Sequence, residues 1–234
     1  MSLSSEARAE QIIQQEFDEQ TGVLNLQGLG LVEVPEAIRE MAGWLRVLNL
    51  GAEEFWDENK QEWSKSSDRT ISNQITILPT WLENFTRLTQ INIDGTYIED
   101  LSSIVSLGEL RTLFFDSVRL RDLSQLTEFT QLTEFSCNNS QVSDLSPLSG
   151  LLGLQKLICS STQVSDLSPL SGLLGLQKLI CSSTQVSDLS PLSGLSDLQT
   201  LSCHSTEVSD LSPLSGLSDL QTLSCHSTEV SDLS

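Results

Sequence analysis

A letter-for-letter tandem repeat in the second half of the chain constrains the fold more than any other feature. Residues 142–163 read VSDLSPLSGLLGLQKLICSSTQ, and residues 164–185 repeat this string; we call these two units the lysine repeats. Residues 186–207 read VSDLSPLSGLSDLQTLSCHSTE, and residues 208–229 are identical to them; we call these two the histidine repeats. Units of one fixed length stack on their neighbours, so this period predicts a solenoid.

The same apolar spacing extends toward the N-terminus with weaker identity. Phe135, Leu113 and Ile91 precede Leu157 by one, two and three units. Each unit contains a short segment in which alternate residues are apolar, the pattern of a strand with one buried face. Nine such strands are expected, centred near residues 25, 49, 92, 114, 136, 158, 180, 202 and 224.

The unit resembles the leucine-rich repeat, whose motif is L-x-x-L-x-L-x-x-N-x-L. The motif occurs as LQKLICSSTQV over residues 154–164, and the earlier Asn73-x-Ile75 retains its asparagine. The resemblance is to the 22-residue class of internalin-like bacterial proteins and phosphatase regulators. It implies an α/β solenoid: a leucine-rich repeat horseshoe with a parallel concave β-sheet, short 3₁₀ or helical convex turns and an N-terminal capping helix.

Two columns of chemically active residues have structural interpretations. The inward strand position holds Cys137, Cys159, Cys181, Cys203 and Cys225. A linear stack of thiols does not converge on one ion, so we expect small buried core residues and neither metal nor cofactor. Free thiols favour a reducing compartment, which predicts a cytoplasmic location. For the column Asp144, Asp166, Asp188, Asp210 and Asp232 we expect hydrogen bonds to turn backbone, with calcium binding as the alternative.

The expected organisation is a capping helix in residues 1–22 and repeats in residues 23–234. Within residues 5–20, one helical face carries Ala9, Ile12, Ile13 and Phe17. The chain stops in mid-repeat, so we expect a C-terminally truncated fragment of a longer protein. An exposed strand edge there would also permit self-association.

An insertion at residues 51–72 interrupts the register and carries Phe55, Trp56 and Trp63 among charged residues. These aromatic side chains are candidate partner contacts, because aromatic residues are frequent interface anchors. Alternatively, they pack the loop against the first repeats.

The charge balance restricts the partner. With 12 Lys and Arg against 32 Asp and Glu, the formal net charge is −20. A nucleic-acid binder needs a basic surface, and an anionic membrane would repel this chain, so we expect neither as partner. No paired acid and base, P-loop or G-x-S-x-G motif appears, so we expect no enzyme activity in these residues.

Outward-facing strand residues are the remaining candidates for binding. Phe114, Ile158 and Ile180 are apolar residues on a polar face, and Lys156 and Lys178 flank the two isoleucines. We expect them to form an exposed apolar spot beside a rare positive charge, a contact site for another protein. The alternative is an inert sheet with binding elsewhere.

His204 and His226 each follow a cysteine, and we expect them side by side on the outer face. The pattern leaves two interpretations, a surface metal site of two histidines or a duplicated neutral residue.

These observations predict a protein-protein interaction module that binds another protein or a neighbouring domain of its own chain. The N-terminal helix and the segment LNLQGLGLVEVPEAI at 24–38 also resemble bacterial Roco proteins. That resemblance implies an intracellular signalling protein with a GTPase domain beyond Ser234. The alternatives are an extracellular internalin-like adhesion or host-binding protein and the recognition domain of a bacterial ubiquitin ligase.

Overall fold

The computed structural model describes residues 4–51, 55–57, 62–64, 72–117 and 119–231; at 55–57 and 62–64 it describes the backbone alone. The chain divides into two compact units, residues 1–118 and residues 119–234. Each unit stacks one strand per repeat in parallel, as the spacing predicts.

In the first unit, helix α1 spans Ser5–Glu19 and precedes two repeats, the insertion and two further repeats. The strands are β1 (Val23–Asn25), β2 (Val47–Asn49), β3 (Phe55–Asp57), β4 (Glu62–Ser64), β5 (Gln90–Asn92) and β6 (Thr112–Phe114). Strands β1, β2, β5 and β6 pair in parallel in that order. Strands β3 and β4 form an antiparallel hairpin within the insertion, with Trp56 opposite Trp63. The sequence pattern did not predict this hairpin.

In the second unit, five strands pair in parallel and each is preceded by a short 3₁₀ turn. The strands are β7 (Glu134–Ser136), β8 (Lys156–Ile158), β9 (Lys178–Ile180), β10 (Thr200–Ser202) and β11 (Thr222–Ser224). The turns are Ser124–Glu128, Ser146–Leu148, Ser168–Leu170, Ser190–Leu192 and Ser212–Leu214. The nine predicted repeat strands are thus confirmed in the described residues, each centred one residue before its predicted centre.

The capping helix is confirmed, but the prediction that Phe17 lies on its buried face is wrong. Ala9 and Ile13 are buried, whereas Phe17 is 39% exposed and Glu16 takes the inward position. The Glu16 carboxylate accepts hydrogen bonds from the Gly22 N–H, at 2.7 Å, and from the Thr21 hydroxyl. These bonds satisfy a buried carboxylate at the helix end, which periodicity alone could not anticipate.

The motif asparagine ties three stretches of the first unit together. Asn73 is fully buried; its Nδ2 donates to the carbonyl oxygens of Leu26 and Leu50, at 2.8 and 2.7 Å, and its Oδ1 accepts from the Leu31 N–H at 2.9 Å. In the second unit a threonine or serine replaces it. The Thr162 hydroxyl donates at 2.7 Å to the carbonyl oxygen of Cys159, three residues earlier. Threonine therefore closes its own turn instead of bridging to another segment.

Candidate interaction surface

Each strand of the second unit presents one face to the core and the other outward. The central residues Leu157, Leu179 and Leu201 are fully buried. The first and third strand residues point the opposite way, because side chains alternate along a strand. We call this outward side the strand face.

The lysine and histidine repeats share their core and differ on their surface. They differ at six of 22 positions: Leu152, Gly153, Lys156, Ile158, Ser160 and Gln163 correspond to Ser196, Asp197, Thr200, Ser202, His204 and Glu207. The buried leucines, the valine and the cysteine of each unit are unchanged. Each lysine repeat carries one Asp and one Lys and has no net charge, whereas each histidine repeat carries two Asp and one Glu and has a net charge of −3.

The two lysines lie side by side on neighbouring strands. Lys156 pairs in register with Lys178, and on its other side with Glu134. The Lys156 Nζ lies 3.7 Å from Glu134 Oε2, and the lysine side chain is 18% exposed. Two adjacent like charges on a sheet oppose folding, so a negative group above them would be favourable.

The expectation that Ile158 and Ile180 form an exposed apolar spot is wrong as to exposure. The two isoleucines are in register and are only 5% and 9% exposed. Each has a neighbouring strand on both sides at about 4.8 Å, so the flanking side chains cover it. Phe114 lies on β6 of the first unit and is half-buried. Whether these residues contact a partner stays a prediction.

The most exposed apolar side chains of the described second unit were missing from the sequence-based candidates. Leu152 and Leu174 occupy the turns that lead into β8 and β9, and they are 68% and 58% exposed. The histidine repeats carry Ser196 and Ser218 there. A position-by-position comparison of the two repeat types would have revealed them. We call Leu152, Lys156, Ile158, Leu174, Lys178 and Ile180 the lysine patch.

The two histidines form a parallel stack, which we call the histidine pair. The rings of His204 and His226 have centroids 4.4 Å apart and planes inclined by 11°. The Nδ1 of His204 lies 3.4 Å from the Ser205 hydroxyl, and the Nδ1 of His226 lies 3.2 Å from the Ser224 hydroxyl. Partial burial, and then the neighbouring His226, lower the pKa of His204. The predicted side-by-side placement is confirmed.

This stack does not suit a metal ion. An imidazole nitrogen binds a metal in its own ring plane, at about 2.0–2.1 Å. Two nearly parallel planes 4.4 Å apart share no such point, so one ring would have to rotate out of the stack. In the part of the chain that the structure describes, no group of three or more metal-ligating side chains comes together.

The cysteines lie in the core, as the alternation predicts. Cys137, Cys159, Cys181 and Cys203 are fully buried and Cys225 is half-buried, and all five are thiols outside any disulfide. Burial raises the pKa of Cys159 and Cys181 well above the usual value and that of Cys203 to about 11. These thiols are therefore poor nucleophiles in the folded chain.

The aspartate column caps turns, as predicted. The Oδ1 atoms of Asp144, Asp166, Asp188 and Asp210 accept the backbone N–H two residues on, at 2.7 to 2.8 Å. Hydrogen bonds from the side chain and backbone of the same serine lower the pKa of Asp144. These four carboxylates thus have a structural role in the turns, and Asp232 lies outside the described residues.

A buried carboxylate in the first unit was also missing from the sequence-based candidates. Asp94 is 8% exposed, and its Oδ1 accepts the Asp116 N–H at 2.7 Å. Burial, and then the charge of Asp116, raise its pKa well above the usual value.

Of the insertion candidates Phe55, Trp56 and Trp63, the structure describes the backbone, and their side chains lie outside the described residues.

The chain has matches among protein-family models and among solved structures. A family model described as "Leucine Rich repeats (2 copies)" matches residues 153–194. No curated protein matches. Within the described residues, no helix has the length and apolar character needed to cross a membrane.

Solved structures similar to this chain include bacterial leucine-rich repeat proteins. Internalin C2 from Listeria monocytogenes is 26% identical, with a TM-score of 0.75 over 95% of this chain and 92% of its own. Internalin F from the same organism is 23% identical, with a TM-score of 0.67 over 96% of this chain and 75% of its own. A leucine-rich repeat protein from Leptospira interrogans is 17% identical, with a TM-score of 0.69 over 92% of this chain and 57% of its own.

Proposed function

We propose that this chain, a leucine-rich repeat protein, is a protein-interaction module that binds another protein through the lysine patch. The observation that carries this proposal is the contrast between the two repeat types. Identical cores support different surfaces, so the surface residues have diverged while the scaffold was kept. A rigid scaffold that varies its outward residues is typical of binding proteins.

The chemistry of the patch indicates the partner. Two exposed leucines each precede a lysine by four residues, in a chain with a net charge of −20. Apolar contact supplies affinity, and complementary charge supplies orientation and association rate. The partner that fits is a protein with an acidic segment that also carries apolar side chains.

We further propose that the module belongs to a larger intracellular signalling protein, such as a Roco GTPase. The five thiols outside any disulfide support this, because disulfides are common in exported proteins. A second candidate is an internalin-like extracellular protein that binds a host surface; it is favoured by the likeness to internalin C2 over 95% of the chain. Fractionation of the source cells with a specific antibody separates the two. A protein in the cytosolic fraction supports the first, and a protein in the secreted or surface fraction supports the second.

Charge reversal within the patch tests the binding proposal. We expect K156E/K178E to weaken the binding of a partner captured by the wild-type chain by about tenfold or more. The loss should shrink as salt rises from about 0.05 M to about 0.3 M, because exposed charges are screened. Isothermal titration calorimetry at each salt concentration measures this effect.

The histidine repeats offer a matched control. Q163E/Q185E introduces into the lysine repeats, outside the patch, the glutamate that the histidine repeats carry at this position. We expect this variant to bind like the wild type and both variants to keep the wild-type Tm. Equal affinities for all three chains would remove the lysine patch as the binding site.

A further inference from the structure

The histidine pair and the lysines lie on one side of one sheet. Strand β10, which precedes His204, pairs with β9, so Thr200 lies beside Lys178. His204 and His226 lie two residues beyond the ends of β10 and β11 and stack on each other. From β8 to β11 the sheet spans three strand intervals, about 14 Å. The histidines also lie four residues, about 13 Å, beyond the lysine position along the strand direction, so one extended peptide segment of about six residues could contact the lysines and the histidine pair together.

The charges around the histidine pair are few on the strand face. On strands β8 to β11 and the residues directly after them, Lys156 and Lys178 are the charged side chains, and no acidic residue occurs there within the described chain. The titratable groups on the strands that carry or flank the pair, and on the segments directly before and after β10 and β11, are Lys178, Cys181, Cys203, Cys225, Asp197, Asp219, Glu207 and Glu229. The cysteines face the core, and each glutamate lies three residues after a histidine.

We propose that the histidine pair is a proton-dependent extension of the lysine patch, which strengthens the binding of an acidic protein segment as the pH falls. This inference rests on the proposed function of the lysine patch. Above neutral pH the positive charge covers the two lysine repeats alone. On acidification, imidazolium at the pair extends it over all four repeats.

The geometry of the pair sets the direction of this effect. Two rings 4.4 Å apart repel each other when both carry charge, so the free protein resists the second proton. Partial burial lowers the pKa of His204 first, and the charge of His226 lowers it further, in agreement with this resistance. A carboxylate of the partner above the rings favours the charged form, so binding takes up protons and affinity rises as pH decreases. If binding raises one imidazole pKa by about one unit, affinity changes by about tenfold.

The probe for this test is a short peptide of alternating Glu and Leu, labelled with tetramethylrhodamine and followed by fluorescence anisotropy. We expect it to bind the wild-type chain about tenfold more tightly at about pH 5.5 than at about pH 7.5. Above pH 5 its glutamates remain mostly ionised. Circular dichroism at both pH values confirms that each chain is folded.

The lysine repeats supply matched substitutions. H204S/H226S introduces the residue that the lysine repeats carry at this position, so the scaffold already accommodates it. We expect this variant to bind like the wild type at about pH 7.5 and to lose most of the gain at about pH 5.5. S160H/S182H should show a larger gain on acidification than the wild type.

The outcomes distinguish failure of the histidine proposal from failure of the lysine-patch proposal. Binding that depends on Lys156 and Lys178, with an equal pH dependence in the wild type and in H204S/H226S, would overturn the histidine proposal alone. If the peptide bound at neither pH, the lysine-patch proposal and the histidine proposal would both be overturned. If the wild-type chain gained the same affinity on acidification for a labelled oligothymidine as for the peptide, the proposed specificity for an acidic protein segment would be overturned.

Discussion

The lysine and histidine repeats have the same core residues and different residues on the strand face. Both place a fully buried leucine at the strand centre, Leu179 in one and Leu201 in the other, and a fully buried cysteine two residues later. Their strand faces differ: one carries lysine and isoleucine, the other threonine, serine and a stacked histidine. The two repeat types therefore share the residues that the stack requires and differ in the residues on its surface.

The comparison also separates two kinds of outward position. Leu152 is 68% exposed, so its replacement by serine in the histidine repeats changes the surface and little else. Ile158 is 5% exposed although it faces outward, so its counterpart Ser202 alters packing as well. A residue on the strand face thus contributes to stability in proportion to how far its in-register neighbours cover it.

The largest expected effect tests the shared core. We expect L179A and L201A to lower the free energy of unfolding by about the same amount, roughly 3 kcal/mol each, because both side chains are fully buried. L223A should cost clearly less, about 1 kcal/mol, because Leu223 is already 40% exposed. Urea denaturation of the three variants measures these differences. Unequal costs for L179A and L201A would contradict a common core.

A smaller effect tests the strand face of the lysine repeats. We expect I158S and I180S, which introduce the histidine-repeat residue, to cost about 1 kcal/mol each, since both isoleucines are nearly covered. K156T and K178T, at the half-buried first strand position, should stay within about 0.5 kcal/mol of the wild type. The same denaturation assay compares them. If the isoleucine variants were as stable as the threonine variants, Ile158 and Ile180 would contribute no more to stability than the lysines do, which would contradict their coverage by neighbouring strands.

The period of the sequence was enough to predict the repeat strands, because stacked units of fixed length repeat the same burial. It placed Leu157 and Cys159 in the core correctly, since strand alternation depends only on position along the chain. It also predicted the turn-capping aspartates, because Asp144 acts on the backbone two residues away.

Features that depend on lateral neighbours were not predictable in the same way. The coverage of Ile158 depends on Ile180 in the next strand, and the burial of Glu16 depends on the turn after the helix. Asp94 is buried against a residue 22 positions later. The exposed Leu152 and Leu174 were in principle visible, since the histidine repeats replace both with serine.

One measurement tests the central claim most directly: the affinity of the labelled Glu and Leu peptide for a chain whose two lysine repeats are rewritten with the histidine-repeat sequence. The rewritten unit is one that the chain already folds twice, so circular dichroism should be unchanged. At about pH 7.5 we expect at least about tenfold weaker binding than for the wild type. Undiminished binding by this folded variant would contradict the assignment of the lysine patch as the site of interaction.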